Sequence, residues 1–134
     1  MNDSNQRPKR MKRAALIHKT PPEIEVHVMI ADVLRFAVVP GWLWWHTPNG
    51  ELRDKITAAR LKRMGVKPGV SDFLLLSPDG DFHALELKRE GKSPTGDQCD
   101  FLQSVANAGC LSAWVDNFDD AVTILRNWGA LRIR

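Results

Sequence analysis

Residues 69–88 read GVSDFLLLSPDGDFHALELK, which is two apolar runs on either side of a turn. The Pro-Asp-Gly sequence at 78–80 fits a three-residue hairpin loop, with a type I turn followed by a left-handed glycine. The register that this loop sets places Asp72 opposite Glu86, with Cβ atoms about 5 Å apart. Because side chains alternate along a strand, Lys88 shares the face of Glu86. The sequence therefore predicts two carboxylates and an ammonium group side by side in an otherwise apolar hairpin.

This group of charges has two interpretations, an ordinary ion pair on a surface hairpin or a metal site. Like charges directly opposite each other destabilise a sheet, and desolvated charges cost several kcal/mol unless they are compensated. A divalent cation removes both penalties, and Mg²⁺ is typically held by one or two carboxylates with waters and phosphate oxygens. The apolar strands around Asp72 favour the metal site, in which Lys88 would orient a water or stabilise charge on a phosphate.

The order of periodic segments predicts helix, strand, helix, hairpin, helix, strand and helix, which gives an α/β sandwich around a mixed sheet. The chain has 134 residues and forms one domain at 21–134, after a basic tail at 1–20 that is expected to be disordered. A net charge of +3 is compatible with a polyanionic partner. No apolar run approaches the length of a membrane span. Cys99 and Cys110 lack metal or disulfide spacing, which favours a reduced, cytoplasmic setting.

The hairpin and its neighbours resemble the VRR-NUC branch of the PD-(D/E)XK nuclease superfamily, over roughly residues 21–128. The matching pieces are a helix with Glu23, a turn at 48–50 with Arg53, the segment LKRMGVKPGVSD at 61–72, then Glu86-Leu87-Lys88 and Gln98. Ser71 stands where the family usually has proline. The resemblance implies an α/β restriction-endonuclease-like core, with a mixed β-sheet flanked by α-helices. It also implies DNA cleavage that depends on Mg²⁺ or Mn²⁺.

The resemblance assigns roles to single residues. The implied catalytic set is Asp72, Glu86, Lys88, Glu23 and Gln98, and the implied metal ligands are Asp72, Glu86 and the backbone carbonyl of Leu87. Glu25 is an alternative to Glu23, because the helix dipole alone favours carboxylates in a first turn. On the sequence alone, Gln98 is better explained as a capping residue three positions after Thr95. His27, one turn after Glu23, stands where the family often has Gln and is otherwise expected to be solvated.

A basic segment precedes the hairpin. Residues 52–64 are predicted to form a helix that ends at Gly65 and is rich in Lys and Arg. The residues expected to contact DNA are Asn49, Arg53, Lys62, Arg63 and Lys67. The resemblance implies that Asn49 and Arg53 face the substrate, whereas Lys62 and Arg63 could instead complement the dipole at the C-terminus of the helix.

Stand-alone members of the family resemble homodimeric junction-resolving enzymes, so the resemblance implies branched DNA, such as a four-way (Holliday) junction, as substrate. A homodimer would also cover surplus tryptophans, and a bacterial or phage-infected cell would be the setting. Two alternatives stay open: a basic DNA-binding module with an inert nuclease site, and a nuclease that acts on linear duplex. The intact Asp72, Glu86 and Lys88 argue against the first. So short a chain offers no obvious target-recognition insertion for the second.

Overall fold

The computed structural model describes residues 23–48 and 54–132. In these ranges the elements are α1 (Glu23–Ala37), β1 (Leu43–His46), α2 (Lys55–Arg63), β2 (Phe73–Leu76), β3 (Phe82–Leu87), α3 (Gly96–Asn107), β4 (Leu111–Val115) and α4 (Phe118–Asn127). This is the order that the sequence predicts. The expected tail at 1–20, together with Asn49 and Arg53, lies outside the described residues. Among the described helices, none is long and apolar enough to cross a membrane.

The four strands form a mixed sheet in the order β1-β2-β3-β4. Strands β1, β2 and β3 are antiparallel neighbours, and β4 runs parallel to β3. The hairpin register is the predicted one, because Leu76 faces Phe82. One step beyond the last aligned pair of β2 and β3, Asp72 falls opposite Glu86. The predicted α/β fold class and the predicted position of the two carboxylates are therefore confirmed.

Helices cover both faces of this sheet. On one face, α1 and α4 pack against the central strands, and the largest wholly buried side chains there are Ile30, Leu34, Phe73, Leu75, Leu85, Leu87 and Leu125. On the other face, α3 packs through Val105 and Phe101 against Leu74 and Ala84. Because strand residues alternate, Glu86 shares the α3 face with Ala84. The carboxylate therefore lies within the apolar layers of the fold.

A close backbone contact fixes the start of the hairpin against α3. Gly69 has a φ of +77°, and a Cβ atom built on it would lie 2.3 Å from the backbone of Asp97. Only glycine combines that conformation with that approach. The first turn of α3 is thereby held beside the segment that leads into Asp72.

Helix α2 lies apart from the core, since none of its residues is buried. It begins after Asp54, whose side chain accepts a hydrogen bond from the N–H of Thr57 at 2.7 Å. The chain leaves the helix through Gly65, which has a φ of +99° as expected for a C-terminal glycine. The helix is shorter than predicted, since Asp54 caps it and Lys55 is its first residue.

Candidate functional site

Two carboxylates are buried side by side at the open end of the β2–β3 hairpin. Asp72 is 5% exposed and Glu86 is 1% exposed. Backbone amides hold both groups: the N–H of Leu87 donates to Asp72 Oδ2 at 2.8 Å, and the N–H of Asp72 donates to Glu86 Oε2 at 3.2 Å. The register of the hairpin thus positions the two acids through main-chain hydrogen bonds.

Burial makes both acids reluctant to ionise. Desolvation, and then the charge of Asp72, raise the pKa of Glu86 to about 8, against a smaller opposite effect of Lys88. Desolvation also raises the pKa of Asp72, although the hydrogen bond from Leu87 and the nearby imidazole of His27 oppose this. Lys88 Nζ lies 3.8 Å from Glu86 Oε1, and the lysine side chain is 14% exposed. Without a bound cation, the carboxylate pair therefore favours holding a proton near neutral pH.

A second set of donor atoms approaches Asp72 from α1. His27 Nε2 lies 3.7 Å from Asp72 Oδ2 and 3.5 Å from Glu23 Oε1. One donor atom from each of these three residues lies within 4.8 Å of the other two. Glu25 is exposed and stands outside this group, so Glu23 is the acid of the first turn that reaches Asp72. Glu86 stands outside the group as well.

The expectation that His27 is solvated is wrong. Its side chain is 18% exposed, and its Nε2 atom is buried without a hydrogen-bond partner. Its ring centroid lies 5.3 Å from that of His46 and 6.2 Å from that of Phe73. The spacing of Glu23 and His27 shows that they share one row of the helix. It does not show that this row faces Asp72.

Unpartnered polar atoms concentrate around Asp72. Within residues 23–48 and 54–132, the buried side-chain atoms without a hydrogen-bond partner belong to His27, Thr47 and Ser71. The N–H of Thr47 donates to the carbonyl of Asp72 at 2.8 Å, and Ser71 directly precedes Asp72 in the chain. Buried polar groups are normally hydrogen-bonded. The carboxylate oxygens and the imidazole nitrogen of this cluster can act as metal ligands, so the cluster fits a bound divalent cation.

Gln98 serves the start of α3. Its Oε1 accepts a hydrogen bond from the N–H of Thr95 at 2.9 Å, and Thr95 Oγ1 accepts one from the N–H of Gln98 at 3.4 Å. These reciprocal bonds form a capping box. Across the described chain, no hydrogen bond joins the Gln98 side chain to Asp72 or Glu86. A catalytic contribution of Gln98 stays a prediction.

The predicted DNA contacts that the structure describes lie at the end of α2 and just after it. Lys62, Arg63 and Lys67 are all exposed. Lys62 and Lys67 line a surface depression of about 360 Å³ that reaches Asp97 in the first turn of α3. Arg63 faces a separate depression of about 680 Å³ with other cations of α2. The first depression therefore extends from the basic helix to the part of α3 that contacts the hairpin.

The fold and this site define an α/β protein with a buried acidic centre at the end of a hairpin. A solved structure described as a "VRR_NUC domain protein" matches with a TM-score of 0.68 and 22% sequence identity, over 82% of this chain and 89% of that one. No family model matches the chain, and no curated protein does. The chain thus has the fold of a VRR-NUC domain protein, which confirms the sequence resemblance at the level of the fold.

Proposed function

We propose that this protein is a divalent-metal-dependent DNA endonuclease that hydrolyses phosphodiester bonds, with branched DNA such as four-way junctions as its substrate. The observation that carries the proposal is the buried pair Asp72 and Glu86, held by main-chain amides with the ammonium group of Lys88 alongside. A structural ion pair would need only one acid. Two acids at this depth are costly unless a cation joins them.

Mg²⁺ or Mn²⁺ would be held by Asp72, Glu86 and the carbonyl oxygen of Leu87, all of them oxygen donors of the kind that these ions prefer. When bound, the ion would lower the pKa of a water and neutralise charge on the phosphate. The protein supplies the position of the two carboxylates, because hydrogen bonds from backbone N–H groups hold them before any ligand binds. Burial supplies a low dielectric environment in which each charge acts strongly.

Lys88 is proposed to donate hydrogen bonds to the attacking water or to a phosphate oxygen. Its backbone N–H donates to the carbonyl of Val115 at 2.8 Å, which ties the end of β3 to β4 and fixes the base of the lysine side chain. The ammonium group is mostly buried beside Glu86. A donor held in this way stabilises developing negative charge with little reorganisation.

DNA is proposed to lie across α2 and the hairpin. Asn49, Arg53, Lys62, Arg63 and Lys67 are the proposed contacts. Within the part of the chain that the structure describes, the last three form no ion pair with a carboxylate. Exposed cations on and just after a helix without buried residues are suited to phosphate oxygens. The basic segment 1–20 is proposed to add phosphate neutralisation that is independent of sequence.

The active form is proposed to be a homodimer in the cytoplasm of a bacterial or phage-infected cell. Resolution of a junction needs two cuts, and each chain offers one hairpin site. Trp44 packs on the α1 face of the core, whereas Trp45 and Trp114 are 39% and 44% exposed on the outer strands β1 and β4. These two side chains supply apolar area for a second copy.

The test is cleavage of a labelled four-way junction and of its matched linear duplex, with Mg²⁺, with Mn²⁺ and with EDTA. Wild type is compared with Asp72→Ala and with Asp72→Asn, which keeps an oxygen for the N–H of Leu87. We expect metal-dependent cutting of the junction that both variants lose. Circular dichroism of each variant confirms that it is folded.

The other outcomes separate the alternatives. Equal cutting of the junction and the duplex would keep the chemistry and refute the preference for branched DNA. Tight binding of DNA without cutting under either metal, by folded wild type, would refute the nuclease and favour an inert binding module. Cutting that survives in Asp72→Asn would refute the assignment of the site.

A further inference from the structure

The α1 side of the site contains a nitrogen donor between two carboxylates. We propose that Glu23, His27 and Asp72 form a metal site of their own, which takes a first-row transition ion such as Mn²⁺ in preference to Mg²⁺. This inference rests on the proposed function, because Asp72 would be shared with the ion that Glu86 and the carbonyl of Leu87 hold. It adds a second ion position and assigns His27 a role.

The spacing of the three donors fits a shared ion. An ion with bonds of about 2.1 Å has neighbouring ligands about 3 Å apart and opposite ligands about 4 Å apart. His27 Nε2 stands 3.5 Å from Glu23 Oε1 and 3.7 Å from Asp72 Oδ2, and all three atoms fall within 4.8 Å of one another. Small side-chain rotations would bring these atoms to ligand distances.

A hydrogen-bonded imidazolium explains the same atoms less well. An N–H donor makes hydrogen bonds of about 2.7–3.2 Å, and both separations of His27 Nε2 exceed that range. The Nε2 atom is buried and has no hydrogen-bond partner. The ring contacts with His46 and Phe73 hold the imidazole in place. A nitrogen atom that is buried, makes no hydrogen bond and lies between two carboxylates has the environment of a metal ligand.

The imidazole decides which ion fits. Mg²⁺ binds oxygen donors and keeps much of its water, whereas first-row transition ions, Mn²⁺ included, also accept an imidazole nitrogen among oxygen ligands. Glu23 is 46% exposed, so the position is open to ions from solvent. Asp72 accepts the N–H of Leu87 at Oδ2 and would link the two ion positions through its carboxylate. The nitrogen donor therefore gives the site a selectivity that the hairpin carboxylates lack.

The test measures Mn²⁺ binding to the full chain by electron paramagnetic resonance. Electron spin echo spectroscopy then detects any ¹⁴N nucleus that is coupled to the bound Mn²⁺. Mg²⁺ binding is measured by calorimetry. The variants are His27→Gln, the matched control His46→Gln on the neighbouring ring, and Glu23→Gln. We expect ¹⁴N coupling in wild type, His46→Gln and Glu23→Gln, and none in His27→Gln. We also expect His27→Gln to weaken the binding of Mn²⁺ at least about tenfold and the binding of Mg²⁺ much less.

The inference is overturned if wild-type Mn²⁺ shows no ¹⁴N coupling, if the coupling persists in folded His27→Gln, or if that variant weakens both ions equally. Should His27→Gln fail to fold, loss of the coupling in His46→Gln would overturn the inference. Its retention there, with weaker Mn²⁺ binding by Glu23→Gln, would support it. Cleavage without ¹⁴N coupling would refute this inference and leave the proposed function standing. Coupling to ¹⁴N without cleavage under Mg²⁺ or Mn²⁺ would support this metal site and refute the proposed nuclease function.

Discussion

Replacing Glu86 with glutamine should stabilise the metal-free protein at alkaline pH. Burial and the neighbouring Asp72 raise the pKa of Glu86 from 4.5 to about 8, so the folded chain keeps a proton that the unfolded chain releases between these values. The contribution to stability is complete below the unfolded pKa and is lost as the pH rises through the folded pKa. At about 1.4 kcal/mol per pH unit, the loss in wild type is on the order of 3 kcal/mol at neutral pH.

Glutamine removes this loss because it is neutral at every pH and can still accept the N–H of Asp72. With a denaturant slope of about 1.5 kcal/mol per M, the difference is a shift of about 2 M in the urea midpoint at neutral pH and of about 3 M above the folded pKa. The measurement is urea unfolding in EDTA, followed by tryptophan fluorescence, at pH about 5 and about 8.5. Glu25→Gln on the exposed face of α1 is the control, and it should follow wild type at both pH values.

We expect Glu86→Gln to match wild type at the lower pH and to exceed it at the higher pH. A gap of the same size at both pH values, or a less stable variant at high pH, would refute the electrostatic reasoning. Added Mg²⁺ should reverse the order, because the site of Asp72 and Glu86 gains stability from the ion only when both carboxylates are present. A variant that stays ahead of wild type in saturating Mg²⁺ would show that Glu86 is not a ligand.

The remaining predictions concern the lysine, a glycine and the basic surface. Lys88→Ala should slow junction cleavage at least about a hundredfold while gel-shift affinity stays nearly constant, and parallel losses of both would contradict a catalytic role. Gly69→Ala should cost about 3 kcal/mol or more in urea unfolding, since its Cβ would lie 2.3 Å from backbone. The control is Gly80→Ala, which has a positive φ but open space around the added Cβ, and it should cost about 1 kcal/mol. Equal losses of stability in the two variants would refute the close contact of Gly69 with Asp97. Lys62→Ala with Lys67→Ala should reduce the slope of log affinity against log salt by about 2 for any DNA, which an unchanged slope would contradict.

The pairing of Asp72 with Glu86 could be derived from the sequence because every step of the derivation is local. The turn at 78–80 sets the register, and the alternation of a strand carries that register outward to the carboxylates. The apolar runs then predict burial of the strands that hold them. Local turn chemistry and a period of two residues were sufficient for this part of the site.

The position of His27 could not be derived, because it depends on how α1 is placed along the sheet. The apolar stripe gives the buried face of a helix, and His27 lies at the border of that face next to Val26. A border residue faces solvent or a neighbouring element according to tertiary packing. The same limit applies to α2, where Ile56 and the C-cap residue Met64 are each 74% exposed, although their residue types alone favour burial.

Asp72 connects more of the fold than its proposed role as a ligand requires. Its carbonyl accepts the N–H of Thr47 beside β1, its side chain accepts the N–H of Leu87 in β3, and its N–H donates to Glu86. Loss of cleavage in Asp72→Ala would therefore have two possible causes, a missing ligand and a loosened sheet. Asp72→Asn separates them, because an amide oxygen retains the bond to Leu87 while the charge that attracts a cation is gone. If the asparagine variant unfolds at the same urea concentration as wild type in EDTA but binds no Mn²⁺, the carboxylate charge is needed for the metal and not for the fold.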